Sequence, residues 1–235
     1  MKILLVGNHT CGNRGDGAIL RGLIDSIQAA RNDVDIDVIS RYPTSSGYLL
    51  QQHIQQDKLF LHNNSSGKGL IGSVKRKVAN RLMPNIMMAH LGKGGPYKSF
   101  SVPPHLKAFT ESLAQYDAVI QVGGSFFVDL YGVTQFDHAL CALLAKKPLY
   151  LIGHSVGPFQ NARTNQLANF VFDRVDRLIL RESVSLDLMK RDGVTSSKVM
   201  PGVDTAFLVR ARHVENPSHS LQHWQSVIRT RKTIA

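Results

Sequence analysis

The chain has 235 residues, 43% of them hydrophobic and 19% charged, enough to bury the core of one large domain. It contains no apolar run near the ~20 residues that span a bilayer, and its two cysteines, Cys11 and Cys141, exclude a disulfide framework and lack metal-ligand spacing. The net charge of +11 is local: nine Lys or Arg and no Asp or Glu lie between Lys58 and Thr110, leaving +2 elsewhere, so one surface rather than the whole chain attracts an anionic partner.

Met1-Lys2 followed by Ile3-Leu4-Leu5-Val6-Gly7 is too soon polar for a signal peptide and reads as a first buried strand, with a cytoplasmic protein as the expectation. A helix over 17–30 follows, with Ile19, Leu20, Leu23, Ile24 and Ile27 on one face. A strand is expected at Ile36–Ser40. Residues 41–103 are poorly patterned, and the reading there is loops, a short strand at Leu59–His62 and one helix. Within them Leu70, Ile71, Val74, Val78 and Leu82 lie at helical spacing among Lys75, Arg76, Lys77 and Arg81. Such a helix either covers the core with a solvated face or lies on an anionic membrane surface. Without interleaved aromatics, nucleic acid is not an expected partner.

Order returns with a helix over 104–115, opened by prolines. Strand 118–122, helix 134–145 with capping-box spacing at Thr134 and Asp137, and strand 148–153 follow. Helix 165–175, strand 178–181 and helix 183–191 with Gly193 as C-cap complete the pattern. This alternation predicts an α/β fold with a parallel sheet covered by helices on both faces, whose ligands sit at the carboxyl ends of the strands. Leu221–Arg229 reads as a linker helix and the last four residues as the start of another strand. The expected division is therefore one Rossmann-like domain over 1–212, then a linker and the opening of a second, truncated domain over 213–235.

Each strand end carries polar or glycine-rich sequence. The first loop contains Asn13, Arg14, Gly15 and Asp16, a composition suited to an anionic or sugar ligand at a helix N-terminus, but it has neither a dinucleotide fingerprint nor a P-loop. The second contains Gly123, Gly124, Ser125 and Asp129; Asp129 either accepts a proton from a sugar hydroxyl or caps the next helix. The third, Gly153-His-Ser-Val-Gly157, matches the nucleophile elbow of serine hydrolases, with Ser155 as nucleophile, Asp204 as its acid and His213, His219 or His223 as base. No HGGG-type oxyanion segment accompanies it. The fourth, Arg181-Glu182-Ser183, offers a guanidinium that either grips a carboxylate or phosphate or pairs with a neighbouring acid. Gly202-Val-Asp204 closes the set. A third functional class, a non-catalytic module for anionic glycan or lipid, is open on the basic segment alone.

The strings Gly7-NHTCGNRGD-Gly17, Gln121-VGGSFFVDLYG-Val133, Ile152-GHSVGPF-Gln160, Ile179-LRESVSLDLMK-Arg191 and Gly202-VDTAF-Leu208, in this order, resemble the polysaccharide pyruvyl transferase family, above all its colanic acid-type members. The resemblance covers the whole chain. It implies the N-terminal half of a GT-B-like two-domain architecture with an active site between the domains. It implies transfer of pyruvate from phosphoenolpyruvate, as a cyclic ketal, onto a lipid-linked or polymeric sugar of an exopolysaccharide repeat unit at the inner face of the cytoplasmic membrane. No cofactor or metal is implied. Arg181 matches the family's Arg at this strand end and is assigned to donor binding, beside Glu182 and Ser183. Asp129 and His154 are the candidates for hydroxyl and proton handling. Asn13, Gly15 and Asp16 are expected to line the acceptor side, and Gly123, Gly124, Ser125, Ser155 and Gly157 the substrate loops. In this reading Ser155 is no nucleophile, and Lys75, Arg76 and Lys77 suit the membrane surface. The family's Arg-Leu-His element of the second domain does not occur in these residues, and the expectation is an incomplete chain.

Overall fold

The computed structural model describes residues 1–65, 78, 81–210 and 218–230. Seven strands form one sheet in which every pairing is parallel: β1 (Lys2–Asn8), β2 (Asp35–Ser40), β3 (Gln55–Gln56), β4 (Ala118–Phe127), β5 (Leu149–Val156), β6 (Arg177–Leu180) and β7 (Val199–Pro201). The order β3-β2-β1-β4-β5-β6-β7 is that of a Rossmann-like α/β domain, and it reverses direction between β1 and β4.

Side-chain alternation in β1 shows why the sheet is covered on both faces. Ile3 and Leu5 join one buried cluster with Leu20, Leu23 and Ile24 of α1 (Arg14–Ala30). Leu4 and Val6 join the other, with Leu106, Leu140 and Val171 from α4 (Pro104–Ser112), α5 (Asp137–Leu144) and α6 (Ala162–Phe172). A run apolar at successive positions, as Ile3–Val6 is, has no face to give to water.

Several boundaries move for identifiable reasons. Helix α1 begins at Arg14, ahead of the expected residue 17, because the Asn13 side chain caps it by accepting the Gly15 N–H at 3.0 Å. The expected strand Leu59–His62 is a helix, α3 (Lys58–Ser65): Asp57 Oδ1 accepts the Phe60 N–H at 3.0 Å and starts a turn where apolar residues suggested a strand. The short strand sits just before it, as β3. Helix α2 (Pro43–Leu50) and a helical stretch over 81–88 occupy the segment that lacked pattern. Strand β4 runs to Phe127 rather than ending at 122. Thr134 and Asp137 form no capping box: residues 133–136 make a 3-10 turn, and the Asp137 carboxylate is buried elsewhere. Helix α6 starts at Ala162, its N–H groups capped by Asn161. Helix α7 (Ser183–Arg191) falls where expected, and α8 (His219–Thr230) extends the expected linker helix with no buried residue. The segment carrying Lys75, Arg76 and Lys77, the 212/213 domain boundary and the last four residues lie outside the described residues. Among the described residues no helix is long and apolar enough to cross a membrane.

Candidate functional site

The carboxyl edge of the sheet gathers four of the five motif segments onto one guanidinium. Arg181, just past β6, donates from Nε to Ser155 Oγ at 2.6 Å, from Nη1 to Asp204 Oδ2 at 2.7 Å and from Nη2 to Ser125 Oγ at 2.9 Å. Its Nε is also 3.3 Å from Glu182 Oε2. Residues from the ends of β4, β5 and β7 thus meet the end of β6, which no spacing in the sequence reveals. The first segment stands apart from this hub.

Two carboxylates, Asp204 and Glu182, flank the single guanidinium, so its charge is compensated within the fold. Glu182 accepts from Ser155 Oγ at 3.0 Å and from Ser185 Oγ, and Ser185 Oγ accepts the Val156 N–H at 2.9 Å. Glu182 therefore links α7 to β5, while Ser183 opens α7. Asp204 Oδ1 accepts the Ala206 N–H at 2.9 Å in the turn Thr205–Leu208, and Oδ2 accepts from Arg181 Nη1. Ser185 was not anticipated, although it lies one helical turn from Glu182.

Close backbone approach accounts for the glycines. A Cβ on Gly123 would stand 2.2 Å from the Gly153 carbonyl oxygen, so β4 and β5 close on each other only with glycine there. Gly124 and Gly157 have φ of +147° and +81°.

The two residues expected to move protons are placed otherwise. Asp129 Oδ2 accepts the N–H groups of Gln160 at 2.7 Å and Asn161 at 3.0 Å, fastening the end of β4 to the entry of α6. It does not cap the next helix, whose N-terminus at Phe136 has no side-chain cap. His154 is wholly buried beside Phe127, its Nε2 3.1 Å from the Gln121 carbonyl oxygen. Burial first, with the Arg181 charge adding to it, lowers its pKa to about 4. Between pH 6.5 and 4 the unfolded chain then binds a proton that the folded chain refuses, and stability falls as the pH falls through that window. His154→Gln, which keeps a donor for the Gln121 carbonyl, is expected to lose about 3 kcal/mol less than the unsubstituted chain over the same window in urea melts.

Among the described residues the hydrolase geometry does not form. Ser155 Oγ donates to Glu182 and accepts from Arg181, and Asp204 pairs with Arg181 rather than with a histidine. His219 and His223 lie on α8, and His213 is outside the described residues.

In the first segment Asn13 and Gly15 form the cap of α1, and Asp16 Oδ2 is 3.7 Å from His9 Nδ1. Burial raises the Asp16 pKa, and burial together with Arg41 lowers that of His9.

Beside β1 lies a polar cavity of about 260 Å³ whose walls include Gly7, Arg41, Asp57, Asn63, Gln121, Asp137 and His138. The Arg41 guanidinium lies 5.1 Å from the Phe60 ring and 5.9 Å from the Phe126 ring, with Nη2 donating to Gln135 Oε1 at 2.9 Å. Sequence reasoning missed this cavity. The one available signal was Arg41 following directly on β2, as Arg181 follows β6.

The profile of the polysaccharide pyruvyl transferase family matches residues 13–230. The chain is 65% identical over all 235 residues to the amylovoran biosynthesis protein AmsJ of Erwinia amylovora and spans 55% of that protein's length. Among solved structures it is similar to the UDP-GlcNAc 2-epimerase of Neisseria meningitidis bound to UDP-GlcNAc, at 15% identity and a TM-score of 0.48, covering 88% of this chain and 47% of that one. Anabaena Alr3699/HepE in complex with UDP is similar at 15% identity and a TM-score of 0.48, covering 87% and 44%. The ordered strand-end motifs fall, all but the opening residues of the first, within the matched span, and the chain belongs to the polysaccharide pyruvyl transferase family.

Proposed function

We propose that these residues form the N-terminal half of a GT-B-like, ketal-forming pyruvyl transferase of exopolysaccharide biosynthesis, with phosphoenolpyruvate as donor and a lipid-linked or polymeric sugar as acceptor. In that reaction two C–O bonds form at the central carbon of the enolpyruvyl group and its bond to the phosphate oxygen breaks. The methylene takes up one proton, and the protons of the two sugar hydroxyls balance that gain and the departing phosphate. The observation that carries the reading is the convergence on Arg181 of hydroxyls from two separate motifs.

Among the described residues, its bonds occupy three of its five N–H groups, leaving donors for a carboxylate, while Asp204 and Glu182 hold the plane of the guanidinium. Arg181 thus aligns Ser125 and Ser155 as well as gripping the donor. Calorimetric titration of phosphoenolpyruvate into this chain tests it. Binding is expected to weaken at least tenfold in Arg181→Ala, the loss of about 1.4 kcal/mol or more that a charge-assisted pair supplies. Equal affinity in both proteins rejects the assignment of Arg181. If neither binds, the donor site is not built by this chain. Contact with an anionic membrane surface through Lys75, Arg76 and Lys77 belongs to the same proposal, and a salt-sensitive association with anionic vesicles that their neutralisation removes is the corresponding measurement.

A further inference from the structure

The cavity beside β1 lies where the strand order reverses, between Gly7 at the end of β1 and Gln121 on β4, the position at which open α/β sheets take ligands. At about 260 Å³ it is smaller than the roughly 300–1,000 Å³ typical of drug-sized sites, so it suits one small ring.

Its polar groups are buried yet incompletely used. Gln121 is 3% exposed; its Nε2 donates to the Gln135 carbonyl at 3.2 Å, while Oε1 has no partner among the described residues. His138, 8% exposed, has Nε2 3.3 Å from Asp57 Oδ1 but too poorly directed for a hydrogen bond. Among the described residues Asp137 accepts a long bond, 3.3 Å, from Asn63 Nδ2. Buried polar atoms without partners are costly, and a ligand that supplies those partners recovers the cost.

The charges decide what kind of ligand fits. Arg41, Asp57 and Asp137 share the cavity wall with His138, whose Nε2 is 3.3 Å from Asp57 Oδ1. Burial would raise the Asp57 pKa, but His138, the Phe60 N–H and Arg41 together hold it low, so Asp57 is an anion. A phosphate or carboxylate would meet that anion at close range. A polyol meets no net charge, and each hydroxyl both donates and accepts. Gln121 Oε1 and the carboxylates receive its protons, Asn63 and His138 Nε2 supply donors, and the flat Arg41–Phe60–Phe126 stack provides a ring-sized wall.

We propose that this cavity binds one neutral pyranose ring of the acceptor, with Gln121 Oε1 and Asp137 receiving its hydroxyl protons. The identity of the ring as acceptor rests on the pyruvyl transferase reading; the site itself rests on the unpaired groups.

Saturation-transfer NMR on this chain tests it with methyl β-D-galactopyranoside, methyl β-D-glucopyranoside and inorganic phosphate as probes. At least one glycoside is expected to bind and phosphate not to compete. Gln121→Met, which keeps the side-chain length, and Asn63→Leu, at a half-buried position, are each expected to weaken glycoside binding about tenfold or more. Thermal melts identify whichever variant remains folded. No glycoside binding, competition by phosphate, or undiminished binding in a folded variant overturns the proposal. Loss of glycoside binding in the variants supports the cavity whether or not the longer protein transfers pyruvate. Transfer that proceeds with unchanged acceptor KM in Gln121→Met removes the cavity's role and leaves the transferase reading intact.

Discussion

Gly22→Ala is expected to destabilise this chain by about 3 kcal/mol or more, the upper range for forcing an atom into a packed contact. Gly22 lies inside α1, where alanine by itself gains about 1 kcal/mol over glycine. A Cβ there would stand 1.7 Å from the Thr205 carbonyl oxygen and 2.8 Å from its carbon, a backbone contact that no rotamer relieves. Thr205 in turn donates its hydroxyl to the Ile19 carbonyl at 2.8 Å, so the turn Thr205–Leu208 is seated on this helix face. Displacing it also pulls on Asp204, the partner of Arg181. Urea denaturation of Gly22→Ala beside Gly15→Ala separates packing from propensity: at Gly15 the nearest atom to an added Cβ is Asn13 Oδ1 at 3.4 Å, an ordinary contact. Near-equal stability of the two variants would contradict the close approach.

Asp137→Asn is expected to gain stability over the unsubstituted chain as the pH rises from about 4 to 7, by up to about 4 kcal/mol. Burial raises the Asp137 pKa to about 7, opposed by the Asn63 hydrogen bond and the charge of His138. Because its folded pKa lies above its unfolded value of 3.8, the folded state holds a proton that the unfolded state has released. That contribution to stability is complete below pH 3.8 and gone above 7. His154 has the opposite sign across much of this window, so the chain loses stability in both directions and the two variants tilt the pH profile oppositely. Chemical melts at pH 4, 5.5, 7 and 8 measure it. A pH-independent difference between Asp137→Asn and its parent would mean that Asp137 is ionised at neutrality.

The sheet and its helices were legible where the signal is local and repeated. Ile3–Val6, 118–120 and 149–152 are apolar at successive positions, which requires burial on both faces, and Ile19–Ile27 repeats at the helical period. The glycines at 123–124 and 153 read as loop sequence, whereas β4 runs on to Phe127 and β5 to Val156. Around Leu59 the reading failed because a three-residue apolar cluster has no period of its own, and the Asp57 cap decided for helix.

Site roles divide differently. That Arg181, Ser155, Ser125 and Asp204 belong to strand ends follows from the order of elements alone, since a parallel sheet brings all such ends to one edge. Which of them touch does not follow, because it depends on strand order and on the direction each side chain leaves the backbone. Asp129 and His154 show the limit: the same residue types suit proton transfer or structural support, and only the packed chain places His154 against Phe127 and Asp129 on two N–H groups of the α6 entry. The cavity lined by Arg41, Gln121, Asp137 and His138 joins residues up to 97 positions apart. The sequence by itself determined the fold class, the family motifs and the edge at which chemistry gathers, because these rest on local periodicity and chain order. Only the tertiary structure decided which polar groups are paired and which wait for a partner, because burial and hydrogen-bond geometry are properties of the packed chain.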